Sequence, residues 1–137
     1  MVNKILGVVM IAGTLFLGSC ASNTNTDLEK NAKIEEITST LDNVNEINFK
    51  NKKNILLDVR TPAEFAEGHV PGAVNIDVKN PNFEEEIQKL DTKKNYFIYC
   101  KSGVRAKLAT EKMQEKGFKN AKNFKDGMST YKGTIAK

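Results

Sequence analysis

Residues 96–107, YFIYCKSGVRAK, decide how the rest of the chain is read. Tyr96, Phe97, Ile98 and Tyr99 are all aromatic or β-branched, the composition of a short strand buried on both faces. Cys100 follows where that strand runs out, and Lys101, Ser102, Gly103 and Val104 make a small loop. Arg105 opens a segment of helical spacing in which Ala106, Leu108, Ala109 and Met113 are expected to face a sheet. A thiol between the C-terminal end of a strand and the start of a helix sits where open α/β sheets keep their reactive groups. The N–H groups of the loop and first helical turn have no intrahelical partners, and their partial positive charge favours an anion beside Cys100. The stretch reads as a cysteine nucleophile in an anion cradle.

Upstream, residues 55–59, ILLDV, have the pattern of a second buried strand. Thr61, Pro62 and Glu64 follow as cap, first-turn proline and acidic first turn of a short helix that Gly68 stops. Pro71 and Gly72 turn the chain into a strand over residues 73–76, and residues 83–90 form an amphipathic helix with Phe83, Ile87 and Leu90 on one side. Downstream, Gly117 supplies a helix stop, residues 121–124 a last strand, and Asp126 and Gly127 a closing helical turn through Tyr131. Residues 34–38 are expected to be a first short strand. Ser39 or Thr40 then caps a helix toward Phe49 with Leu41, Val44 and Ile47 on its apolar face. Strands alternating with helices predict one α/β domain over residues 34–137, a parallel sheet with helices on both faces.

The balance of 39% hydrophobic and 28% charged residues is that of a globular protein. A formal charge of +4 is too mild and too evenly spread to argue for nucleic acid, and Lys119, Lys122 and Lys125 read as a solvated face. The lone His69, just before Pro71, reads as a hydrogen-bonded turn residue. One histidine and one free thiol do not complete a zinc site, so neither a metal nor a cofactor is expected. Asp58 and Arg60, charged residues at the end of a buried strand, are candidates for an active-site rim, with Arg60 pairing to Asp58 or Glu64 and fixing the loop.

The N-terminus is an address. Residues 1–19 carry one positive charge at Lys4, an apolar run from Ile5 to Leu17 and the small residues Gly18 and Ser19, the anatomy of a secretory signal peptide. Its end, LGSC at residues 17–20, resembles a bacterial lipobox. That resemblance implies a diacylglycerol on the Cys20 sulfur, cleavage before Cys20 and acylation of the new amino group, together enough for stable membrane anchoring. It also removes Cys20 from any disulfide with Cys100. Residues 21–33 are mostly polar and read as a flexible tether, so residues 20–33 form a lipidated linker to the domain. The expected location is the bacterial cell envelope, facing the periplasm or the exterior.

Residues 56–77, LLDVRTPAEFAEGHVPGAVNID, resemble the amino-terminal signature of a rhodanese domain, and residues 100–105, CKSGVR, resemble that family's active-site loop. The closing residues 127–133, GMSTYKG, are similar to the family's end, with Tyr131 where a tryptophan is usual. The resemblance implies a five-stranded parallel sheet with helices on both sides and sulfurtransferase chemistry. Cys100 would carry a sulfane sulfur as a persulfide, with Lys101, Ser102, Gly103, Val104 and Arg105 as its cradle. Thiosulfate or a persulfide would be the anionic donor; cyanide, a thiol or a thioredoxin-like reductant would accept. Ala106 stands where many members have a small hydroxyl residue.

Two rival readings belong to other classes. A protein phosphatase or arsenate reductase of related fold also uses a cysteine, a loop of N–H donors and an arginine, but resembles Cys-x5-Arg. Here four residues separate Cys100 from Arg105, and the smaller cradle suits a single sulfur better than a phosphoryl group. A non-catalytic rhodanese-like binding module usually lacks the cysteine that this chain keeps.

Overall fold

The computed structural model describes residues 24–137; the apolar run, Cys20 and the first residues of the linker lie outside the described residues. Four strands, β1 (Asn54–Asp58), β2 (Val74–Asn75), β3 (Asn95–Tyr99) and β4 (Ala121–Asn123), form one parallel sheet in the order β2-β1-β3-β4. β1 and β3 pair along their whole length, from Asn54 beside Asn95 to Asp58 beside Tyr99. The helices are α1 (Thr24–Ile37), α2 (Pro62–Glu67), α3 (Phe83–Gln88) and α4 (Val104–Glu115), with a 3-10 helix at Leu41–Glu46.

The period-2 alternation of the central strands makes two cores, one on each face. Leu57, Val59, Tyr96, Ile98 and Cys100 point to the face covered by α3 and α4, through Phe83, Ile87, Ala106, Ala109 and Met113. Leu56, Phe97 and Tyr99 point to the other face, covered by Ile37 of α1 and by Leu41, Val44 and Ile47 around the 3-10 helix. Burying one such side chain contributes about 1.5–3 kcal/mol, so both faces of β3 are firmly specified.

The N-terminal part departs from the sequence reading. Residues 34–38 end a helix instead of forming a strand, so the sheet has four strands where the resemblance implied five, and residues 24–33 are helical instead of a flexible tether. No glycine or proline occurs between Gly18 and Pro62, and Leu28, Glu29, Lys30, Ala32 and Lys33 are good helix formers. The last turn is anchored by buried Ile37 and by Thr38, whose Oγ1 donates to the Ile34 carbonyl at 2.8 Å. Leu108 is a second departure. It is exposed, and Thr110 takes the buried position instead, on one stripe with Ala106, Ala109 and Met113.

The two ends of the domain are tied together beside the C-terminal ends of the strands. The Asp126 carboxylate accepts from Leu41 N at 2.6 Å, Thr40 Oγ1 at 2.8 Å and Thr130 Oγ1 at 3.0 Å. Lys125 N donates to the Thr38 carbonyl at 2.9 Å, and Lys132 N to Asp42 Oδ1 at 2.8 Å. Among the described residues no helix is long and apolar enough to cross a membrane.

Asp126→Ala removes three acceptor contacts at once. Hydrogen bonds to charged groups contribute roughly 1.5–3 kcal/mol each and do not simply add, so a loss of about 2–4 kcal/mol is expected. Urea denaturation measures it; a loss below about 0.5 kcal/mol, the range of ordinary surface changes, would deny Asp126 this role.

Candidate functional site

Cys100 stands one residue beyond β3, and Gly103 caps α4. The alternation of β3 sends the Cys100 side chain into the core beneath α4, where it is fully buried. The Gly103 N–H donates to Cys100 Sγ at 3.0 Å. Gly103 has φ +98°, a left-handed conformation that side chains disfavour, and a Cβ there would run into the Lys125 carbonyl. The reversal that turns an N–H back onto the sulfur therefore requires glycine. Lys101, Ser102 and Val104 are exposed, so their side chains form the rim of the loop.

The closing loop holds this turn from the other side. Gly127 lies against the Cys100 and Lys101 carbonyls so closely that a Cβ would collide with both. The adjoining backbone then bonds to the same two groups. Met128 N–H donates to the Cys100 carbonyl at 3.0 Å, while Ser129 reaches the Lys101 carbonyl through N–H at 3.0 Å and Oγ at 2.8 Å.

Arg105, expected in the cradle, is engaged by a carboxylate of the protein itself. Its guanidinium makes a two-pronged pair with Glu64, at 2.7 and 2.9 Å, and is half-buried. Glu64 also closes the capping box of α2, accepting from Thr61 N at 3.0 Å while Thr61 Oγ1 accepts from Glu64 N at 3.3 Å. The Arg105 hydrogen bonds hold the Glu64 carboxyl far below the usual carboxylate range, and the same bonds raise the Arg105 pKa. One carboxylate thus joins α2 to the start of α4. Sequence reasoning took Glu64 only as an acidic first-turn residue; its place at N3 after Thr61 signalled the cap, but not the partner across the site.

Asp58 and Arg60 are interior instead of lining an exposed rim. Arg60 donates to Asp58 through Nε and Nη2, the latter at 2.6 Å, and to the Gly68 carbonyl at 2.7 Å. Burial works to lower the Arg60 pKa, but bonding to Asp58 outweighs it and the pKa is raised. The guanidinium lies over the Tyr99 ring, 5.9 Å from its centroid. Burial, reinforced by Asp58, pushes the Tyr99 phenol above its ordinary range, and its oxygen accepts from Val70 N at 3.0 Å. The pair sits beneath the loop after β1 as a structural brace, and the expected pairing of Arg60 with Asp58 is the one observed. His69 stacks on Phe65 and its Nδ1 lies 2.9 Å from the Phe65 carbonyl, a contact within the turn.

A family model described as the rhodanese-like domain matches residues 40–134. The chain belongs to the rhodanese-like family. It is 37% identical over 78 residues to the putative sulfurtransferase YtwF of Bacillus subtilis (strain 168), covering 57% of this chain and 73% of that protein. It is 35% identical over 85 residues to thiosulfate sulfurtransferase 16, chloroplastic, of Arabidopsis thaliana, covering 55% of this chain and 71% of the relative. Among solved structures it is similar to SSP1007 from Staphylococcus saprophyticus subsp. saprophyticus, with TM-score 0.52 and 29% identity over 57% of this chain and 75% of that one. The human single domain sulfurtransferase TSTD1 shares the fold, with TM-score 0.57 and 24% identity over 66% and 89% of the two chains. The rhodanese-like domain thus has the parallel α/β architecture of its relatives, with CKSGVR at the end of β3.

The Arg105–Glu64 pair makes a pH-dependent prediction. Because the folded-state pKa of Glu64 is depressed below its ordinary 4.5, its stabilisation is fully present above that value and lost as pH falls through the depressed one. Glu64→Gln should therefore be less stable than wild type by a constant amount, about 1 kcal/mol for a partly exposed pair, at neutral pH. The gap should close progressively below about pH 4.5. Urea midpoints measured against pH test this; a gap that widens on acidification would contradict it.

Proposed function

We propose that this rhodanese-like domain is a sulfurtransferase in which Cys100 takes the sulfane sulfur of thiosulfate, or of a persulfide, and passes it to a thiophilic acceptor. The observation that carries the reading is the Gly103 N–H aimed at Cys100 Sγ from 3.0 Å, in a loop with four residues between Cys100 and Arg105. The sulfurtransferase names of two relatives support the class of reaction, and the thiosulfate in one name supports the donor.

In the first half-reaction the Cys100 thiolate attacks the outer sulfur of thiosulfate. A bond forms between Cys100 Sγ and that sulfur as the S–S bond of thiosulfate breaks, and sulfite leaves with the electron pair. In the second, cyanide or a thiolate attacks the terminal sulfur and departs as thiocyanate or a persulfide, and Cys100 recovers the electron pair as thiolate. A thioredoxin-like thiol is one acceptor of this class. The leaving groups are stable anions, so the site's task is to hold negative charge, which backbone N–H donors do at no reorganisation cost. Lys101, exposed on the rim, supplies the free charge that attracts an anionic donor, because Arg105 is already engaged by Glu64. Cys100 is buried beneath the loop, with Lys101 and Ser102 exposed beside it on the side from which a donor would approach.

The reading extends to location: lipid on Cys20 tethers the domain to the membrane of the bacterial cell envelope, facing away from the cytoplasm. The LGSC end of the apolar N-terminal segment supports it.

Cys100→Ser tests the reaction. It keeps the size of the side chain and should fold as wild type, yet release no thiocyanate from thiosulfate plus cyanide. Substantial remaining turnover would remove Cys100 from the chemistry, and aryl phosphate hydrolysis abolished by the same change would replace sulfur transfer with phosphoryl transfer.

A further inference from the structure

The turns that lead into β1, β3 and β4 are rich in lysine: Lys50, Lys52 and Lys53, then Lys93 and Lys94, then Lys119. They are far apart in sequence. The strands are parallel, however, with Asn54 beside Asn95 and Tyr96 beside Ala121, so all three turns lie at one end of the sheet. Five of the six lysines are exposed and Lys94 is half-buried. None of the six forms a salt bridge among the described residues. Carboxylates share this end: Asp91, whose Oδ1 accepts from Lys93 N; Glu46; Asp27 and Glu29 on α1; and Glu115 at the end of α4, near Glu84, which pairs with Lys116 at 3.1 Å. Among the described residues none of them forms a salt bridge with the six turn lysines.

The N-terminal helix begins at this same end. Thr26, Asp27 and Lys30 of α1 line a groove of about 860 Å³ together with Asn54, Asn95 and Lys119. The opposite end of α1 leads to Thr38, which accepts from Lys125 just past β4. Cys20 precedes Thr24 by four residues, which span at most about 14 Å even when fully extended. Leu28, on the second turn of α1, is 67% exposed. The chain therefore enters the domain at its lysine-bearing end, from an apolar segment a short reach away.

We propose that this end of the sheet rests on the anionic headgroups of a phospholipid bilayer and so orients the domain with Cys100 facing away from the membrane. The proposal rests on membrane attachment through Cys20. Each lysine near an anionic surface is worth about 1 kcal/mol, and the attraction fades beyond a Debye length of about 8 Å at physiological salt. The five residues of β3, at about 3.3 Å each, set Cys100 roughly 16 Å farther out than Asn95. A small anionic donor then meets the Cys100 loop about two Debye lengths from the lysine-bearing end, beyond most of the field that would repel it.

The test is lysine acetylation footprinting by mass spectrometry on the full-length protein as isolated from membranes, reconstituted into phosphatidylglycerol-containing vesicles or into phosphatidylcholine alone. Lys52, Lys53, Lys93, Lys94 and Lys119 should label about fivefold more slowly in the anionic vesicles, the equivalent of roughly 1 kcal/mol per lysine. Lys101 and Lys107, at the Cys100 end, should label equally in both. The protection should vanish in high salt, and Lys119 should lose it in a Lys52→Glu, Lys53→Glu, Lys93→Glu, Lys94→Glu variant. Equal labelling of the two ends in both vesicles, or protection of Lys101 and Lys107 instead, would overturn the proposal. The intact mass of the same sample reports the acyl chains on Cys20 separately. An acylated protein without lysine protection fails the orientation alone, whereas an unacylated one fails the anchor on which it rests.

Discussion

The contact on which the site depends is that of Gly127 with the Cys100 and Lys101 carbonyls. No side chain fits between them, and the neighbouring N–H groups of Met128 and Ser129 bond to those same two carbonyls. The peptide groups that begin the loop are thereby fixed from below. Gly103 fixes its other end, where a left-handed backbone turns an N–H onto the sulfur. A loop held at both ends presents its donors to an anion without first ordering them, the preorganisation that the proposed sulfur transfer calls for. Asp126, next to Gly127, carries the constraint further by capping the 3-10 helix at Leu41, so the first and last parts of the domain both bear on the Cys100 loop.

Charge around the loop is largely paired. Asp58 neutralises Arg60 beneath the sheet end, and Glu64 neutralises Arg105 beside it. Removing one partner of a buried pair such as Asp58–Arg60 typically costs 3–5 kcal/mol, because an uncompensated charge is left inside. Arg105, although paired, still interacts with Cys100 through its charge, and the backbone dipoles of the loop add to it. Unpaired positive charge collects instead at the opposite end of the sheet. One parallel topology thus gives the domain two unlike ends, one with the thiol and one with the lysines.

Much of this was legible in the sequence where a local rule has a single solution. The aromatic run before Cys100 became β3, Thr61 with Pro62 and Glu64 became the capped α2, and the parallel α/β fold follows from the alternation of elements. The segment before Thr38 was misread because its polar composition suits a tether as well as a solvated helix, and only the packing of Ile37 and Thr38 decides between them. The pairing of Arg105 was hidden for another reason: its partner Glu64 lies far upstream, and no spacing rule links a capping-box glutamate to a helix across the site. The gathering of Lys53, Lys94 and Lys119 was equally hidden, since it follows from strand register and not from any run of charges. Gly127 looked like a turn residue, yet it is required for a close approach between two backbones.

The central claim is that Cys100 holds a transferable sulfur in a preformed cradle. Under the proposed lipidation of Cys20, Cys100 is the only thiol left of the two cysteines, so a persulfide formed there has no internal thiol with which to collapse into a disulfide. The most direct measurement is the intact mass of the protein after treatment with thiosulfate and desalting, before and after addition of cyanide. The account predicts a gain of one sulfur atom that survives desalting and disappears with cyanide as thiocyanate forms. A mass unchanged by thiosulfate, or a gain that cyanide does not remove, would contradict it.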